Sequence, residues 1–500
     1  MKENQNTQKL NTQHKLYIET FGCQMNLSDT QIVQSIMTDA GYLLAAAVDD
    51  ADIILLNTCS VRNNAEEKIH NRIETLFHLL KKRKNKSVLG IIGCMAERLQ
   101  KNLLSSNQIV SIVVGPDEYR KLPELIKLAF EGEKKVATNL NSTEDYNDIV
   151  PLRTDGISAW LSIMRGCNNF CSYCVVPYTR GRERSRPFET IIQEIEQLNK
   201  NGFKEVTLLG QNVNSYCYEN ALDKRVLGDN NFDSSNLFEN NQADIADISN
   251  LSDAKKDAKN QSNAENQKIL FPFLLENVAK SAPEMRIRFL TSHPMDLSLE
   301  LVEVIAKYDN ICNYIHLPVQ SGANRILELM NRKYTVEHYL NLISLIRRHI
   351  PHCAISTDII AGYPSETIDE HNATLELMRK VRYSNAFMFR YSPREGTKAF
   401  AEKDDVSEAE KIRRLNEIIE LQNRISLEEN EKDIGCVFEI LVESPSKKNR
   451  NEWLGRTQTA KLVIFDNSGL DSDSRIYKAG DKINVKITKV TSATLFGHQV

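Results

Sequence analysis

The chain has 500 residues, 41% hydrophobic and 26% charged, an ordinary globular balance that excludes collagen-like, wholly disordered and small disulfide-scaffold classes. Lys and Arg total 63 against 67 Asp and Glu, so the net charge of −4 gives no bulk attraction for nucleic acid, and any such partner must meet a local patch. The length predicts about three domains. No apolar run is long enough to span a membrane, and the polar tail, 1–14, lacks the apolar core of an export signal, so a cytoplasmic protein without membrane contact is expected.

Ten cysteines under those conditions direct attention to metal or redox chemistry, because cytosolic thiols stay reduced. Residues 15–132 alternate short apolar runs (KLYIET, DIILLN, SVLGIIG, QIVSIVVG) with amphipathic stretches, the pattern of an open parallel sheet in an α/β domain. Cys23, Cys59 and Cys94 follow the first three runs at separations of 36 and 35 residues, so all three thiols converge on the carboxyl edge of one sheet. One such cysteine reads as a small buried hydrophobe; three in equivalent positions read as a shared site for zinc or iron-sulfur. Asn26, Asn57 and Ser60 lie beside them, as turn formers or as hydrogen-bond donors to sulfur. Lys81, Lys82, Arg83, Lys84 and Lys86 close a helical stretch, where cations complement the helix dipole.

An apolar run at 157–164 precedes Cys167-x3-Cys171-x2-Cys174. No fourth Cys or His follows closely, so the triplet leaves a zinc or ferredoxin-type coordination sphere open. This spacing resembles the radical S-adenosylmethionine (SAM) superfamily. The resemblance implies a 4Fe-4S cluster on Cys167, Cys171 and Cys174 that binds SAM and yields a radical able to take hydrogen from carbon. Downstream runs KEVTLLG, RIRFLT, NYIHLPV, CAISTDIIAG and NAFMFRYS complete six strand-helix units, a partial (β/α)6 barrel within 153–432. Gly210, Gln211, Asn212, the Pro318–Gly322 segment with Gln320, and Gly362 fall at strand C-termini, where barrel sites sit; ordinary turn residues are the alternative.

Residues 219–268 interrupt that pattern with ten Asn, ten acidic residues and little apolar periodicity, which predicts a disordered insertion in a barrel loop. Residues 407–432 predict a long amphipathic helix. Beyond it, within 433–499, VFEILVES, AKLVIFD and DKINVKITKV predict a small β-barrel. The stretch between the first two reads as a loop presenting Lys447, Lys448, Arg450 and Arg456 around Trp453, a cationic surface with a stacking aromatic suited to RNA. Arg180, Arg182, Arg184 and Arg186 alternate just after the cysteine triplet and read as contacts to RNA phosphate or SAM.

The motifs FGCQMN (21–26), NTCSVR (57–62), GCMAER (93–98) and RGCNNFCSYCVVPYTRGRERSR (165–186) resemble the methylthiotransferase family of that superfamily, and the C-terminal barrel resembles its TRAM domain. Gln24-Met25 after the first cysteine matches the isopentenyl-adenosine type, in place of the Lys common in the threonylcarbamoyl-adenosine type; the type that modifies a ribosomal protein differs around all three N-terminal cysteines. The resemblance implies a second, auxiliary 4Fe-4S cluster on Cys23, Cys59 and Cys94, and SAM contacts from Gly210, Gln211, Asn212, Gln320 and Gly362. It implies methylthiolation of C2 of an isopentenyl-adenosine next to the anticodon of tRNA, with one SAM as methyl donor and a second as radical source. An unidentified electron donor and sulfur source are implied as partners, and the enzyme is expected to be monomeric. An iron-sulfur carrier, or an RNA-binding protein with structural metal, would explain only part of this set.

Overall fold

The computed structural model describes residues 14–60, 63–83, 86–106, 109–153, 156–220, 267–447, 449, 451–466 and 477–500. The polar N-terminal tail up to residue 13, most of the expected insertion (221–266), Lys84, Lys448 and Arg450 lie outside the described residues. Among the described residues no helix is long and apolar enough to cross a membrane.

The first domain is a six-stranded, all-parallel sheet of β1 (Lys15–Thr20), β2 (Leu43–Leu44), β3 (Ile53–Thr58), β4 (Val88–Gly93), β5 (Val110–Val114) and β6 (Lys135–Ala137), in the order β2-β1-β3-β4-β5-β6. Every residue of β3 and β4 is buried, because helices cover both faces; this is why those runs are continuously apolar rather than alternating. Ile53 and Leu55 enter one core with helices Gln24–Asp39 and Leu122–Glu131, while Ile54 and Leu56 enter the other with helix Asn63–Lys81. The last strand lies beyond residue 132, and Tyr146 is buried in the same core, so the fold of this domain extends past the expected boundary. At the end of helix Asn63–Lys81, Arg83 donates to the carbonyls of Ala51 and Val48, a structural tie rather than a free basic surface.

The central domain carries β7 (Ser158–Ser162), a short ribbon of β8 (Met164–Arg165) with β9 (Arg184–Ser185), and β10 (Glu205–Leu209). A hairpin of β11 (Cys217–Asn220) and β12 (Gln267–Leu270) follows, then β13 (Arg286–Phe289), β14 (Tyr314–His316), β15 (Ala354–Ala361) and β16 (Asn385–Arg390). The barrel strands pair in parallel as β7-β10-β13 and β14-β15-β16, joined by a parallel bridge between Ile287 and Ile311, which makes one partial barrel of six strands. Helix Glu408–Glu431, capped by the Ser407 hydroxyl, inserts Ile418, Leu421 and Ile425 into the barrel core. The hairpin corrects the insertion boundary: residues 219–220 and 267–268 are paired strand, with Asn220 opposite Gln267.

The C-terminal domain is a closed five-stranded barrel of β17 (Val437–Pro445), β18 (Trp453–Arg456), β19 (Leu462–Asp466), β20 (Lys482–Val490) and β21 (Thr494–Gln499), in the order β17-β18-β19-β21-β20. Closure removes the exposed sheet edges that would otherwise invite pairing with other chains. The segment expected as a loop therefore contains a strand. Trp453 pairs with Pro445 and Phe465, and its ring meets Tyr477 edge-on at 5.7 Å.

Candidate active site between two cysteine triads

The N-terminal thiols stand where strands end. Cys23 precedes helix Gln24–Asp39, Cys59 follows β3 directly, and Cys94 opens the helix after β4. Two of the three are preceded by glycines that close approach makes necessary. At Gly22 (φ +132°) an added Cβ would lie 2.4 Å from the Cβ of Cys59, and at Gly93 (φ +94°) 2.7 Å from the Thr58 carbonyl oxygen. The Gly-Cys pairs thus bring the cysteine loops against one another.

A buried amide pair holds that edge: Asn26 donates to Asn57 Oδ1 at 2.9 Å and to the Thr58 carbonyl at 3.1 Å, while Asn57 donates back to the Asn26 carbonyl at 2.8 Å. Cys23 in turn donates to Asn26 Oδ1 at 3.3 Å. Both asparagines are fully buried, so they act as internal fasteners rather than solvent turns. A hydrogen bond with Cys59 is the largest influence on Cys23, and its thiol is held down to about 6. Burial pushes the Cys94 thiol up.

The second triad is pinned from three sides. The Cys167 N–H donates to the Gly181 carbonyl at 3.1 Å, and Ser172 N donates to the Met330 carbonyl at 3.0 Å. The Ser172 and Tyr363 hydroxyls lie 2.8 Å apart, tying the loop to the end of β15. Arg332, unnoticed in the sequence because it lies 161 residues downstream, places Nη1 3.3 Å from Cys171 Sγ. Its other nitrogens donate to the Tyr334 hydroxyl at 2.9 Å and the Pro318 carbonyl at 2.8 Å. Burial pushes Cys167 up to about 11 and Cys174 up to about 12, as expected of thiols removed from water.

Among the described residues no group of three or more His, Cys, Asp or Glu side chains is arranged around a point for a single metal ion. None of the ten cysteines is in a disulfide. The donor set, three thiols per site with cationic donors aimed at sulfur, fits an anionic multi-iron group.

A cavity of about 340 Å³ opens between the triads, lined by Ser60 beside Cys59 and by Cys174 with Tyr173 of the triplet loop. Gln320, Asp358 and Ile360, together with Met388 and Arg390 of β16, form further walls. Around the strand C-termini, Gln211 Oε1, Asn212 Oδ1, Ser292 Oγ and Gln320 Oε1 are buried without a partner, which fits a polar cofactor at that end of the barrel. Asn212 is held by donating to Asp296 at 2.6 Å, and Gln320 sits at φ +72°.

Gly210 and Gly362 also have packing reasons to be glycine. An added Cβ would lie 2.5 Å from Met164 Cγ at Gly210 and 2.4 Å from Lys411 Cγ at Gly362. The Gly362 N–H is already taken by Glu366 at 2.8 Å.

The arginine row is corrected by burial. Arg180 pairs with Asp29 at 2.7 Å, Arg184 with Asp117 at 2.8 Å and Arg186 with Glu194 at 2.9 Å, so these three are internal struts unavailable to RNA phosphate. Arg182 alone is exposed, 4.2 Å above the Phe170 ring. In the C-terminal barrel Trp453 is half-buried and packs against the core. Arg456 is exposed but paired with Glu443 at 2.9 Å, and Lys447 is exposed.

Residues 15–115 match the family described as Uncharacterized protein family UPF0004, residues 161–378 the Radical SAM superfamily, and residues 431–500 the TRAM domain. The tRNA-2-methylthio-N(6)-dimethylallyladenosine synthase of Phocaeicola vulgatus is 48% identical over 492 residues, covering 97% of this chain and 96% of its own. That of Chloroherpeton thalassium is 47% identical over 489 residues, covering 98% and 96%. Among solved structures, the radical S-adenosylmethionine methyltransferase TsrM from Kitasatospora setae, with cobalamin and a 4Fe-4S cluster bound, is similar in fold. Its TM-score is 0.53 at 13% identity, over 78% of this chain and 77% of that one. The chain belongs to the family of tRNA-2-methylthio-N(6)-dimethylallyladenosine synthases within the radical SAM superfamily.

Proposed function

We propose that this chain is a tRNA methylthiotransferase that converts N6-isopentenyl-adenosine next to the anticodon to its 2-methylthio derivative. The observation that carries the reading is a cavity whose lining includes Cys174 of one triad and Ser60, the chain neighbour of Cys59 in the other. Cys167, Cys171 and Cys174 would hold a SAM-binding 4Fe-4S cluster, and Cys23, Cys59 and Cys94 an auxiliary one. When bound, the two clusters and SAM supply the electron, the sulfur, the methyl group and a radical able to take hydrogen from carbon.

The chain's own residues do the rest. Arg332 fixes the Cys171 sulfur by hydrogen bonding and orients the Pro318 turn at the cavity wall. The partnerless oxygens of Gln211, Asn212 and Gln320 suit the polar groups of SAM. Ile360, Met388, Phe389 and Leu415 give the cavity an apolar wall suited to a prenyl chain, and Arg390, paired with Glu408, and Arg394 add cationic groups to its lining. An unpaired anticodon-loop base reaches such a pocket without opening a helix. One chain carries both triads and the RNA module, which supports a monomer acting in the cytoplasm, where tRNA is modified; an external electron donor and sulfur source complete the cycle.

The test separates the two sites. With Cys23, Cys59 and Cys94 all changed to Ala, the protein is expected to form 5′-deoxyadenosine from SAM and dithionite but no methylthio-adenosine. With Cys167, Cys171 and Cys174 changed to Ala, both products are expected to disappear. Methylthiolated tRNA from the first variant would overturn the assignment of sulfur delivery to the N-terminal triad.

A further inference from the structure

Arg180 is the residue through which the two cysteine-bearing domains touch at their thiols. It ends the short helix Val176–Arg180, and the carbonyl of the next residue, Gly181, accepts the Cys167 N–H at 3.1 Å. Its side chain points away from that triplet into the N-terminal domain. There Nε lies 3.1 Å from Cys94 Sγ, and Nη2 donates to Asp29 Oδ2 at 2.7 Å. Arg165 of β8 takes the other oxygen, Asp29 Oδ1, at 2.7 Å and lies 4.6 Å from the Tyr146 ring.

The two guanidinium groups in this sealed contact both pair with Asp29, while Asp117 and Cys23 also act on them electrostatically. Arg165, Arg180 and Asp29 are all buried, so two guanidinium groups share one carboxylate. Nη1 of Arg180, and Nε and Nη1 of Arg165, are buried with no partner. A buried guanidinium N–H without a partner is costly unless an acceptor meets it, and the sulfurs of a thiolate-bound iron-sulfur group are such acceptors. A cationic donor on a ligand sulfur favours the state with one more electron, so it raises the reduction potential of the group that sulfur holds. A neighbouring carboxylate opposes that effect.

We propose that Arg180 is a positioning residue that sets the reduction potential of the group held by Cys23, Cys59 and Cys94, with Asp29 moderating its charge. Docking of the radical-generating core on the N-terminal domain then also tunes the auxiliary site, because the tuning residue belongs to the core. This inference rests on the cluster assignment proposed above.

The experiment uses the full chain with Cys167, Cys171 and Cys174 changed to Ala, reconstituted with iron and sulfide, so that one site reports alone. Iron content tests the assignment: a parent that loads no iron counts against the cluster reading itself. In loaded protein, spectroelectrochemical titration is expected to give a lower midpoint potential for Arg180→Gln and a higher one for Asp29→Asn. Arg180→Lys, which keeps the charge, is expected to restore part of the loss. Arg184→Gln breaks the neighbouring Asp117 strut without touching a thiol and is expected to leave the potential unchanged. Should Arg180→Gln fail to retain iron, recovery of iron by Arg180→Lys supports the charge role, and failure of both overturns it. Unchanged potentials, or shifts of the same sign in Arg180→Gln and Asp29→Asn, also overturn it.

Discussion

Arg286 and Glu439 join the barrel to the C-terminal domain: the guanidinium, 1% exposed, donates to the glutamate's carboxylate at 2.8 Å and to its carbonyl at 2.9 Å. Arg286 also reaches the Arg456 carbonyl at 2.8 Å. Two residues along β13, Arg288 donates to the Thr457 and Gln458 carbonyls, each at 2.7 Å, and pairs with Glu205 at 2.8 Å. Lys482 adds a bond to the Glu284 carbonyl just before the strand. The small barrel is therefore seated where the strands begin, at the other end of the strands from the cavity.

The forked geometry gives the first prediction. In Arg288→Ala, Glu205 is left buried without its partner, a change that costs on the order of 3–5 kcal/mol. Limited proteolysis is expected to cut between the long helix and β17 in Arg286→Ala/Arg288→Ala while both sites still load iron. Affinity for tRNA is expected to fall. Lys at either position should not rescue, since one ammonium cannot reproduce the fork. Wild-type resistance to the protease in the double variant would count against this seating.

Arg332 gives the second. Removing a hydrogen bond to a metal-ligating sulfur typically lowers metal affinity or activity by about 10–100-fold. Arg332→Ala is expected to lose SAM cleavage by that order, with the iron of the Cys23, Cys59 and Cys94 site retained. Arg332→Lys is expected to fall between, since an ammonium cannot reach Cys171, Tyr334 and Pro318 together. Equal 5′-deoxyadenosine yields from wild type and Arg332→Ala would remove its assigned role.

The third concerns the insertion. Asn220 and Gln267 are register partners on antiparallel strands, so the chain enters and leaves the insertion at one place. A two-residue Asn-Gly turn suits that geometry. Replacing residues 221–266 with Asn-Gly is expected to leave iron content, SAM cleavage and tRNA methylthiolation within about twofold of wild type, since the ends are already paired and the length of a connection weighs only weakly on stability. A protein with full clusters and no tRNA product would show the segment to be functional.

What the sequence made legible was periodicity and spacing. Continuous apolar runs followed by cysteines located β1, β3 and β4 and their thiol-bearing ends, and the six barrel strands were readable for the same reason. Arginines were not. Arg180 and Arg184 lie in a row that looks solvent-facing, yet their partners Asp29 and Asp117 lie 151 and 67 residues upstream, and a local pattern carries no record of them. Trp453 misled for a related reason: a four-residue strand flanked by Lys, Arg and Asn has too few alternations to register as a strand. Arg332 lacked any local signal, since its meaning comes from Cys171, which the fold brings beside it.

The last prediction is a pH dependence at His293. The residue is 5% exposed, its Nδ1 accepts the Met295 N–H at 3.2 Å, and its ring meets Tyr334 edge-on at 5.6 Å. Burial, reinforced by the charges of Arg332 and Lys333, holds its pKa down to about 2, although the Asp296 carboxylate lies 3.9 Å away. In the unfolded chain the same ring titrates near 6.5. Between those values the unfolded state binds a proton that the native state refuses, so stability is full above about pH 6.5 and falls as pH drops below it. The slope is about 1.4 kcal/mol per pH unit for one proton. His293→Asn keeps an acceptor for the Met295 N–H but has nothing to titrate. Apparent melting temperatures measured from pH 7.5 to 5.5 are expected to fall more steeply for wild type than for His293→Asn. Parallel pH profiles for the two proteins would show that this ring is not held neutral by its burial.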